Sequence, residues 1–113
     1  MKDYTLSQLT AGIKNSFAKY DQQGTQHWTR EVAAKDLAYQ IGSLNKVMLQ
    51  QSNHRWSDGK DAASLEADFR NELADILAEV LYIAAELNID MNRAMDEMMD
   101  DDQRKVTERT SST

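Results

Sequence analysis

At 113 residues the chain is the size of one domain, large enough to enclose a core yet short of the length at which burial becomes generous. Its net charge of -6 withholds the basic surface that broad nucleic-acid binding and anionic membranes require, and zero cysteines exclude disulfides, thiolate metal sites and cysteine nucleophiles. The absence of proline, only four glycines and an abundance of Ala, Leu, Glu, Asp and Lys point to an all-α fold. With His27 and His54 as the only histidines, a histidine-rich zinc site is not expected. No apolar run approaches a membrane span, and the opening MKDYTLSQL lacks the layout of a signal peptide, so a cytoplasmic location is expected.

Thr5 followed by Gln8 is a capping-box pattern, and Leu6, Leu9, Ile13 and Phe17 line one face of a first helix that should end near Tyr20. Asp21 to Gly24 reads as a turn. Thr29 is the candidate N-cap of helix two, with Glu31 favourably placed in the first turn and Leu37, Ile41, Leu44 and Met48 continuing the apolar stripe. Asp36, Gln40 and Ser43 lie on its flank. Gly42 interrupts the helix at a cost of roughly 1 kcal/mol relative to alanine, which suggests close approach of a neighbouring helix. Ser52 to Asp61 reads as a loop, whose Trp56 is free to fold back or to cover a partner.

The longest helical pattern is Phe69 to Asp90, FRNELADILAEVLYIAAELNID, after a start capped by Asp61 or Ser64. Leu73, Ile76, Leu77, Val80, Ile83, Ala84 and Leu87 form its core-facing stripe. Glu72, Asp75, Glu79 and Glu86 follow one another at helical spacing, with Glu72 expected nearest the core edge. Such a row is either a solvated flank or a set of oxygen ligands for a hard cation such as Mg2+. Asn88 suits a left-handed stop, Asp90 caps helix four, and Met91, Ala94, Met95 and Met98 form that helix's apolar side, as core or as subunit contact. Residues 1–105 thus read as one domain. Residues 106–113, VTERTSST, have too little apolar content to pack and are expected as a disordered tail.

From about Trp28 to Lys105 the sequence resembles the MazG-like all-α nucleoside triphosphate pyrophosphohydrolases. The family pairs an E-x-x-E on one helix with an E-x-x-D on the next. Glu72-Leu73-Ala74-Asp75 matches the second half, and LAYQIGSLNKVML has the frame of the first, with Leu37, Gly42, Leu44 and Lys46 in place. Gln40 and Ser43 stand where carboxylates would be expected. The resemblance implies a four-helix bundle completed by oligomerisation, as a homodimer or tetramer. It also implies Mg2+ or Mn2+ held by Glu72 and Asp75, and a nucleoside triphosphate met by Lys46 and Trp28. Glu79, one turn past Asp75, is a candidate third ligand or general base. Gln and Ser supply neutral oxygens, which neither offset a metal's charge nor act as a base near neutral pH. Two outcomes follow: weak hydrolysis of a nucleoside triphosphate to the monophosphate and pyrophosphate, or a catalytically silent MazG-like protein that serves assembly, partner binding or weak nucleotide binding.

Overall fold

The computed structural model describes residues 1–111, which form four α-helices and no strand: α1 (Leu6–Gln22), α2 (Arg30–Gln51), α3 (Ala62–Glu86) and α4 (Met91–Ser111). Local chemistry explains where they start. Thr5 and Gln8 form the reciprocal capping box, with Thr5 N–H donating to Gln8 Oε1 at 2.8 Å and Gln8 N–H to Thr5 Oγ1 at 3.1 Å. Thr29 accepts from the Val32 amide, and Asp61, not Ser64, caps α3 by accepting from the Ser64 amide at 2.8 Å. Asp90 accepts from the Asn92 and Arg93 amides at the head of α4. Asn88, at φ 54°, makes the left-handed break between α3 and α4.

α2 and α3 form the main pair, α1 packs across α3, and α4 is attached most lightly, touching α1 near its start through Asn92 Nδ2 donating to Ser7 Oγ at 3.1 Å. The buried core is small: Ala33, Val47, Leu65, Leu81, Tyr82 and Ala84. Phe17 of α1 stacks on Tyr82 of α3 at 4.1 Å between ring centroids and meets Trp28 edge-on at 5.4 Å. The Tyr82 hydroxyl donates to the backbone carbonyl of Trp28, tying α3 to the segment that enters α2. Buried Gln50 holds the loop after α2, donating to the Trp56 carbonyl at 3.0 Å and to Asp58 Oδ2 at 3.2 Å. Trp56 itself does not fold back and is 79% exposed.

α3 starts at Ala62, where the expected cap at Asp61 puts it, but other expectations need correction. Its expected stripe is only partly inward: Leu73, Leu77 and Leu87 are exposed, whereas Leu81 and Tyr82 are buried. Leu73 and Leu77 share a face with buried Leu81 and Ala84, so the spacing marks the face but not the stretch of it that is covered. The acid nearest the core is Glu79, at 5% exposure, rather than Glu72. A Cβ at Gly42 would meet nothing within 4 Å, so no helix approaches closely there. α4 continues through residues 106–111, part of the expected tail, with Thr107 and Thr110 hydroxyls bonded back to Gln103 and Val106 carbonyls. Ser112 and Thr113, the end of that tail, lie outside the described residues.

Candidate functional site

α1, α2 and α3 diverge around a cavity of about 410 Å3. The α2 flank delivers Asp36 and Gln40, the α3 flank delivers Asp75 and Glu79, and α1 with the following linker supplies Phe17, Tyr20, Asp21 and Trp28. Asp36 and Gln40 are i, i+4 neighbours, so they project from the same side of α2; Gln40 Nε2 donates to Asp36 Oδ2 at 3.5 Å. Asp75 and Glu79 have the same relation on α3. Two helical rows of polar residues therefore face each other across the bundle, closed on the third side by aromatic rings.

Glu79 is the unusual group. Its Oε2 is buried and receives no hydrogen bond from the described residues. Burial, then the neighbouring Asp36 carboxyl and the charge of Asp75, push its pKa from about 4.5 up to about 8. At neutral pH Glu79 is thus mostly a carboxylic acid, able to donate to Asp36. At the mouth, His27 bridges two elements, with Nδ1 at 2.8 Å from Asp21 Oδ2 and Nε2 at 3.3 Å from Glu86 Oε1. These hydrogen bonds, that to Asp21 first, raise the imidazole pKa. Burial, with Glu86 alongside, raises the Tyr82 phenol to about 12, consistent with a hydroxyl kept as a donor.

A separate groove of about 250 Å3 lies further along α2 and α3 and holds Ser43, Lys46 and Glu72. Glu72 Oε2 is also buried without a partner, and its pKa is raised by burial and then by Asp75 and Asp68. The two lysines here pair with acids of the same groove: Lys46 lies 3.8 Å from Asp58 and Lys60 2.6 Å from Asp68.

The residues singled out from sequence are therefore divided. Trp28, Gln40, Asp75 and Glu79 line the large cavity, while Ser43, Lys46 and Glu72 line the groove. Asp75 is engaged by Asn71, whose Nδ2 donates to Oδ2 at 3.4 Å. Among the described residues no three His, Cys, Asp or Glu side chains are grouped to hold a metal ion. Mg2+ is commonly held by one or two carboxylates with waters and phosphate oxygens, and Glu72 and Asp75, one turn apart on α3, lie close enough for the Asp75 charge to raise the Glu72 pKa. Among the same residues no helix is long and apolar enough to cross a membrane. Sequence reading did not identify Asp21 or Asp36 as cavity residues. Asp36, four before Gln40 on one helical flank, was the available signal for the second; Asp21, in the last turn of α1 and four after Phe17, had the same kind of signal.

No family model matches the chain, and it matches no curated protein and no solved structure.

Proposed function

We propose that the chain is a catalytically silent, MazG-like helical protein that acts in the cytoplasm as a homo-oligomer, with assembly rather than hydrolysis as its role. The observation that carries this reading is the open shape of the single chain. Its radius of gyration is 18.0 Å, against roughly 13–14 Å for a compact chain of this size. The surface left open is apolar: Ile41 and Met48 of α2, Leu73 and Leu77 of α3, and Met95 and Met98 of α4. Full burial of each such side chain is worth about 1.5–3 kcal/mol, so covering several offsets the cost of association. A second copy supplies the same surface in return, and the result is a dimer or a pair of dimers.

Sedimentation or light scattering tests this directly. The expected result is a particle of two or more chains at micromolar concentration, dissociated by Met95→Gln with Met98→Gln while helicity is retained. A single chain under those conditions would remove the proposal.

A second reading, weak nucleoside triphosphate pyrophosphohydrolysis, is favoured by one observation: Glu72 Oε2 is a buried carboxylate oxygen without a partner. Gln40→Glu with Ser43→Glu restores the missing acids. If that protein folds and releases pyrophosphate with Mg2+ well above the parent, the chain is a weakened hydrolase; if it stays inert, assembly alone remains.

A further inference from the structure

The cavity between α1, α2 and α3 has the wrong charge for a phosphate and the right walls for something else. Four carboxylates line it, Asp21, Asp36, Asp75 and Glu79, and among the described lining residues none is Lys, Arg or His. An anionic ligand would meet like charge from every helix. A charge cluster on its own would be an ordinary solvated surface, but Glu79 is not at the surface. It is 5% exposed and lines the cavity, and its Oε2 is buried with no hydrogen-bond donor among the described residues. A buried acceptor of this kind is an incomplete pairing, which a donor brought by a ligand would complete.

The remaining walls define that donor more closely. Phe17, Tyr20 and Trp28 present aromatic rings to the same space. Aromatic faces attract organic cations, and a planar cation bearing N–H groups can stack on a ring while directing its donors at carboxylates. The volume of about 410 Å3 lies toward the small end of ligand sites. From these features we infer that the cavity binds a small organic cation, an amine, amidinium or guanidinium, with Glu79 and Asp75 receiving its N–H groups and the aromatic rings flanking its body. This ligand site stands apart from the assembly proposed above and does not depend on it.

Binding should be coupled to proton release. Glu79 is faced by Asp36 from α2, by Asp75 from its own helix, and by Tyr20 and Asp21 from α1, with His27 on Asp21. A cation arriving among them favours the ionised form of Glu79, so the proton held there at neutral pH leaves as the ligand enters.

The test is calorimetric titration of the full chain with benzamidinium at pH 7, in two buffers of different ionisation enthalpy, with neutral benzamide as the isosteric control. The expected result is saturable binding of benzamidinium with release of about one proton, and no binding of benzamide. Glu79→Gln should abolish the proton release and weaken affinity at least about tenfold, as loss of a buried charge partner does. Asp75→Asn, on the more exposed side of the cavity, should weaken it severalfold and covers the case in which Glu79→Gln fails to fold. Equal binding of benzamide, affinity unchanged in both variants, or no saturation up to about 10 mM would each overturn the assignment.

Discussion

The Tyr82 hydroxyl reaches across 54 residues of sequence to donate to the backbone carbonyl of Trp28, so one hydrogen bond joins the C-terminal end of α3 to the entry of α2. Tyr82 is almost fully buried and its ring is stacked on Phe17, so the bond is shielded from competing water. Tyr82→Phe keeps the stacking and removes the donor. It should cost about 1–2 kcal/mol in a urea melt, the usual penalty for a buried carbonyl left unpaired. A variant as stable as the parent would show that water satisfies the Trp28 carbonyl.

Glu79 gives the chain a pH dependence opposite to that of most carboxylates. Its folded-state pKa is raised to about 8 from about 4.5, so between those values the folded chain holds a proton that the unfolded chain has lost. Stability should therefore fall as pH rises through that window. Glu79→Gln removes the ionisable group, and at pH 9 it should be more stable than the parent by roughly 1–3 kcal/mol, with a flatter profile from pH 5 to 8. Thermal melts across that range would expose the error if the two profiles ran parallel.

His27 adds a second, smaller dependence. Its pKa is raised by hydrogen bonds to Asp21 and Glu86, so its contribution is fully present below the unfolded value of 6.5 and disappears as pH climbs through the raised folded value. His27→Gln should lower the melting temperature at pH 6 and leave it unchanged at pH 9. NMR titration of the imidazole checks the cause, since an unshifted resonance midpoint would mean that the two acids are not engaged in solution.

Gly42 lies within α2 with open space around the position a side chain would take. Gly42→Ala should therefore raise stability by about 0.5–1 kcal/mol through the entropy it removes from the unfolded chain. Loss of stability in the same denaturant titration would mean that another chain covers this position.

The ends of the helices were legible because they depend on neighbours in sequence: Thr5 with Gln8, Thr29, Asp90 and Asn88 each act within a few residues. What was not legible is how much of a helix face another element covers. In α3, Leu73, Leu77, Leu81 and Ala84 share one face, yet Leu81 and Ala84 are buried while Leu73 and Leu77 are exposed. On another side of α3 Glu79 is buried, and Asp75 and Glu72 line different recesses. The row of acids was visible from its spacing, but its division was not, because that follows from where α1 lies on α3.

α4 departs from the left-handed Asn88 and is steadied near its start by Asn92 on Ser7, while Met95, Met98 and Met99 remain uncovered further along. It is in effect a lever on a single-residue pivot. A change at Asn88 would re-aim the whole helix, and in the assembly proposed above a neighbouring copy would be the surface it meets. Under that proposal, substitutions at this hinge would alter which chains are joined, and in what number, before they altered how any one chain folds.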